Sequence, residues 1–172
     1  MGDRENELLP MVDEEGHVLK SITRGMAHGG SMALHPVVHL HVFNAEKQLY
    51  LQHRPSWKSI QPGKWDTAVG GHVDWGETIA KALKREAREE LGLVAFKAVA
   101  LGHYLFESPR EKELVYVFTT LYNGIVVPSV DELDGGRFWS LEEIDAEMGK
   151  GIFTPNFEQE FERYRCSMLK VL

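Results

Sequence analysis

Apolar positions alternate on both sides of Glu15-Gly16 in LLPMVDEEGHVLKSITR, a pattern that predicts a β-hairpin. ALHPVVHLHVFNAEKQLYLQHR then predicts two strands, 37–43 and 49–53, around the turn signal Asn44-Ala45-Glu46. In the first of these, Val38, Leu40 and Val42 share one face, and His39 and His41 the other. PSWKSIQPGKWDT, punctuated by Pro55 and Pro62-Gly63, reads as a loop. Behind a glycine-rich turn the period changes. Ile79, Leu83, Ala87 and Leu91 recur at helical spacing, which predicts a helix over 78–91 with Gly92 as its left-handed C-cap. Strands are expected at 96–104, 114–121 and 136–139. Ser140 with Glu143 makes a capping-box pattern for a further helix, and 155–169 reads as the last one.

Composition narrows the class. The 172 residues are 43% hydrophobic and 26% charged, which is the make-up of a globular protein with one sizeable core. No repeat, low-complexity run or linker divides them, so a single domain over 1–172 is expected. A net charge of −7 argues against a protein that grips nucleic acid, though not against a small phosphorylated substrate, because a bound metal reverses the local field. The single cysteine, Cys166, excludes an internal disulfide and fits a reducing compartment. With no membrane-length apolar run and no signal-peptide core at MGDRENELLP, the expected location is the cytoplasm, with no membrane partner. The oligomeric state is open, a homodimer included.

The helix over 78–91 carries an unusual charge pattern. Glu86, Glu89 and Glu90 fall within about a 100° arc, with Glu90 at the border of the apolar stripe. Like charges at these spacings cost stability unless a cation offsets them, and Arg85 flanks Glu89 at i, i+4. Taken alone, this is compatible with a charged surface helix. Its frame is more specific: Gly71, five residues, Glu77, seven residues, then Arg85-Glu86-Ala87-Arg88-Glu89-Glu90-Leu91-Gly92-Leu93 resembles the signature box of the Nudix hydrolases. The resemblance extends to the strands before the box and to Phe138-Trp139-Ser140-Leu141 after it. It implies an α+β Nudix fold, a mixed β-sheet sandwiched between α-helices. It also implies Glu86, Glu89 and Glu90 as ligands of Mg²⁺ or Mn²⁺, one doubling as general base, with Arg85 orienting a glutamate. Gly71 and Gly76 would shape the loop that brings Glu77 to the substrate. Hard ions favour such oxygen ligands and activate water toward phosphorus. The implied activity is hydrolysis of an organic diphosphate, a nucleoside diphosphate linked to another moiety or a related pyrophosphate.

A second constellation resembles one Nudix branch, the type I isopentenyl-diphosphate isomerases. His28 and His35 have that branch's spacing, His72 matches the histidine of its Cys-Gly-His triplet, and Glu111-Lys-Glu113 matches its Glu-x-Glu pair. The resemblance implies a second divalent metal, Zn²⁺ or Mn²⁺, on these five residues. It also implies diphosphate contacts from Arg24, Arg54 and Lys58. The triplet's cysteine is here Gly70, which offers no acid or base, while the glutamate box is complete. The scaffold is therefore isomerase-like and the intact chemistry hydrolytic. An isomerase-like enzyme is the second reading, and a non-catalytic ligand-binding domain the third. His17, His53 and His103 read as surface or core residues, and His39 and His41 as structural. Trp57, Trp65, Trp75 and Tyr104 serve either to stack a substrate group or as core and rim aromatics.

Overall fold

The structure, a computed structural model, describes residues 4–172. β1 (Leu8–Val12) and β2 (Val18–Thr23) form the expected hairpin. A larger mixed sheet holds β3 (Leu34–Phe43), β4 (Leu49–His53), β5 (Trp65–Thr67), β6 (Val69–His72), β7 (Val99–Glu107), β8 (Lys112–Leu121) and β9 (Gly136–Trp139). The order is β5-β4-β3-β8-β7, with β6 on β3 and β9 on β4. β3 and β8 run parallel from Leu34↔Lys112 to Phe43↔Leu121, and the other pairs are antiparallel.

Alternation along β3 decides how the layers pack. Val38, Leu40 and Val42 meet Ala82, Leu83, Ala87 and Leu91 of α2 (Ile79–Leu91) on one face. Val37 and Phe43 meet Phe157, Phe161 and Met168 of α4 (Pro155–Val171) on the other, beside α3 (Leu141–Glu147). Burying each such large side chain contributes about 1.5–3 kcal/mol, so the two cores fix the helices on opposite faces. α2 begins at Thr78, whose hydroxyl accepts from the Lys81 N–H, and stops at Gly92, held at φ 67°. Thr154 caps α4, with Pro155 in its first turn. The capping box at Ser140 and Glu143 is present.

Three expectations change and one element is added. Gly70 and Gly71 lie in strand β6, and the turn falls later, at Asp74–Glu77, with Gly76 at φ 82°. The segment read as a loop ends in β5, which pairs with β4. β7 lies about three residues beyond its expected place, because its pairing with β8 runs on to Glu107↔Lys112. A five-residue helix, α1 (Arg24–His28), follows β2, capped by Thr23. Among the described residues no helix is long and apolar enough to cross a membrane.

Candidate active site

β6 has only β3 beside it among the described residues, so its other edge is free. Gly70 faces His39 across the ladder, yet its N–H donates to Glu90 Oε2 at 3.0 Å. A residue in an antiparallel strand sends N–H and C=O to the same side, so the Gly70 carbonyl also faces the free edge. The His72 carbonyl does likewise and accepts from Arg85 Nη2 at 2.9 Å. Gly71, between them, has no room for a side chain: a Cβ there would fall on the Glu86 carboxyl group. α2 thus lays Glu86 and Glu90 along the free edge of β6.

Arg85 organises the acids. It reaches Glu77 from Nε (2.8 Å) and Nη2 (3.0 Å), and from Nη1 it reaches Glu86 (2.8 Å) and Glu89 (3.3 Å). Glu77 therefore has both oxygens on Arg85, while Glu89 is half exposed. Burial lifts Glu86 to about 7 despite the charge of Arg85. Burial, with the charge of Glu86 behind it, lifts Glu90 well above the usual carboxylate range. Two crowded, reluctant carboxylates form a donor set that a divalent cation would stabilise.

His72 carries the strand into the second constellation, and the structure brings all five of its members together. His28 Nε2 lies 2.9 Å from His72 Nε2 and 3.2 Å from Glu111 Oε2, and His35 Nε2 lies 3.8 Å from both Glu111 and Glu113. His35 Nδ1 sits 3.0 Å from the Ala33 carbonyl, which places its proton there and leaves Nε2 as a lone pair. That Nε2 is buried and has no hydrogen-bond partner among the described residues. Burial, then the charges of His35 and Arg24, lowers His28 to about 4, and burial also lowers His35 and His72. Burial lifts Glu113 to about 7. Neutral imidazoles converging with two carboxylates, one nitrogen orphaned, suit a transition metal. This cluster lies across β6 from the box helix, joined to it through His72 and Arg85.

Arg24 stands beside the cluster, its charge acting on all three histidines, with Glu7 as an ion-pair partner at 3.4 Å. Arg54 donates to the Ile60 carbonyl and lies 3.7 Å from Asp66, and Lys58 sits over the Trp57 ring. Trp57 and Trp75 are exposed, whereas Trp65 packs edge-on against Trp139.

His39 and His41 do more than fill a polar face. His39 Nδ1 meets Glu160 Oε1 at 2.7 Å, His41 Nε2 meets Oε2 at 2.6 Å, and the Tyr104 hydroxyl donates to Oε1 at 2.6 Å. Burial opposes the charge on Glu160, but the two histidines hold its carboxyl well below the usual range. Burial likewise opposes a charged His39, yet Glu160 pushes it up to about 9, with Glu113 and Asp66 adding to the effect. Because His39 rises from an ordinary 6.5, the stability from this pairing is full below that value and is lost as pH rises through about 9. His41 and Tyr104 complete the groups facing it. Thermal melts should show Tm falling across this window, and falling less in Glu160→Gln; a flat wild-type profile would contradict the pairing.

Residues 33–157 match the family model for the NUDIX domain. The chain belongs to the Nudix family. An uncharacterised Nudix hydrolase of Pseudomonas aeruginosa is 30% identical over 138 residues, 77% of this Nudix chain and 78% of the relative. An isopentenyl-diphosphate Delta-isomerase of Streptomyces avermitilis is 27% identical over 162 residues, 91% of this chain and 82% of the relative. A Deinococcus radiodurans crystal structure superposes with TM-score 0.77 at 26% identity, covering 91% of this chain and 98% of that one. These relatives agree with the Nudix fold described above and include both hydrolase and isomerase names.

Proposed function

We propose that this Nudix protein is a divalent-metal-dependent hydrolase of an organic diphosphate, either a nucleoside diphosphate linked to another moiety or a related pyrophosphate. The observation that carries the reading is the pair of carboxylates at the free edge of β6, Glu90 buried and Glu86 partly buried beside it. Glu86, Glu89 and Glu90 would hold Mg²⁺ or Mn²⁺. When bound, such ions offset phosphate charge and acidify nearby water. The chain's own part is positional. Arg85 locks Glu77 and Glu86, Gly71 leaves space for Glu86, and a glutamate of the box takes the proton of the attacking water. Arg24, Arg54 and Lys58 add positive charge for the phosphate oxygens. Residues 1–172 act as one Nudix domain.

His28, His35, His72, Glu111 and Glu113 would hold a second ion, Zn²⁺ or Mn²⁺, with the orphaned His35 Nε2 as the supporting observation. Elemental analysis of protein purified without chelator or histidine tag should find roughly one equivalent of transition metal. His35→Ala should lose it. Wild-type protein free of metal would contradict the site.

The same cluster favours the second reading, an isomerase-like enzyme. Gly70 weighs against it, since glycine neither delivers nor removes a proton. Incubation with labelled isopentenyl diphosphate and product analysis decides between them. Little or no dimethylallyl isomer is expected. Efficient conversion would overturn the hydrolase reading and make Glu113 the first suspect for the acid.

A further inference from the structure

Glu160 already receives hydrogen bonds from His41 and Tyr104, so His39 is not needed merely to satisfy it. The two histidines also use opposite nitrogens. His41 presents Nε2 and is fully buried, whereas His39 presents Nδ1 and keeps part of its ring accessible. Its Nε2 makes no hydrogen bond among the described residues. That nitrogen lies over Gly70: a Cβ at 70 would stand 3.4 Å from His39 Cδ2 and 3.6 Å from Nε2. Glycine at 70 therefore leaves uncovered a ring edge that a side chain there would cover, its Cβ already in van der Waals contact with the ring. Gly70 is also the residue whose N–H holds Glu90, so the imidazole edge and the box carboxylates meet at one backbone position from opposite faces.

We propose that His39, held in orientation by Glu160, donates its Nε2–H to a phosphate oxygen of the diphosphate bound at the free edge of β6. The inference rests on the hydrolase reading and adds to it a substrate-binding residue outside the box. A carboxylate on one imidazole nitrogen fixes the ring and directs the other nitrogen at its target. The charge of Glu160 keeps the ring protonated at neutral pH, so Nε2 carries the hydrogen the bond requires. Acidic neighbours of the ring, Glu113 and Asp66, reinforce that state.

The probe is imidodiphosphate with Mg²⁺, whose P–N–P bridge resists cleavage. On ¹⁵N-labelled wild-type protein, the His39 Nε2 resonance should shift on saturation. By calorimetry, His39→Phe should bind the probe roughly tenfold or more weakly, the scale of a charge-assisted hydrogen bond. His39→Gln, which keeps a donor, should recover part of the loss, with melts confirming that both variants fold. An unmoved Nε2 resonance with the probe bound would overturn the proposal even if His39→Phe failed to fold. If Glu90→Gln abolished binding while His39→Phe bound like wild type, the His39 inference would fall and the box reading would stand. Failure of the wild type to bind at all would overturn both.

Discussion

Glu90→Gln is expected to lower turnover of a diphosphate substrate roughly 10²- to 10³-fold or more, the scale for losing a charge that supports the transition state. The substitution keeps the shape of the side chain and an oxygen able to accept from the Gly70 N–H. It removes a charge that is buried beside Glu86 and that only a cation makes comfortable there. The metal-free variant should therefore melt at the wild-type temperature or above it, since repulsion between the two acids is relieved. Loss of activity without loss of stability is the signature of a ligand residue. A variant within a few-fold of wild-type turnover would overturn the box assignment, and one that unfolds would mark Glu90 as structural. Glu89→Gln should also lower turnover by orders of magnitude, though its half-exposed side chain is less tightly fixed.

Gly71→Ala should be nearly as damaging to turnover although it removes no functional group. The added methyl falls on the Glu86 carboxyl group, the movable end of a side chain, so the fold can yield there by displacing Glu86. Gly71 is not held at positive φ, so alanine adds no backbone strain. Displacing a catalytic group by about 1 Å can cost on the order of 10²-fold, and that loss is expected here with a small change in Tm. Turnover near wild type would show that the position of Glu86 does not matter.

Much of this arrangement was legible in the chain. The 3.6-residue period of Ile79, Leu83, Ala87 and Leu91, with Thr78 before it and Gly92 after, marks α2 almost to the residue. Glu90 at the edge of that stripe signals its burial. The five-residue cluster was accessible through resemblance, because nothing in local spacing joins His28 to Glu113. Because glycine weakens strands, Gly70-Gly71 reads as part of the turn before α2; a Cβ at Gly71 would fall on the Glu86 carboxyl group, whereas one at Gly70 would only touch His39. β5 was hidden because three residues beside proline and glycine carry no measurable period. Glu160 was missed despite a usable signal. It stands among Phe157, Phe161, Tyr164 and Met168 on the buried side of α4, and a carboxylate in an apolar stripe requires partners. Those partners, His39 and His41, lie more than a hundred residues away, beyond the reach of any local pattern.

A panel of nucleoside-diphosphate-linked compounds and other pyrophosphates decides whether the protein hydrolyses a P–O–P bond. Purified protein would be assayed in ¹⁸O-water with Mg²⁺, with Mn²⁺ and with chelator. Cleavage of a P–O–P bond in at least one member, dependent on metal, abolished by chelator and placing ¹⁸O in a phosphate product, is the predicted result. No metal-dependent cleavage of any member, or product phosphates without ¹⁸O, would contradict it.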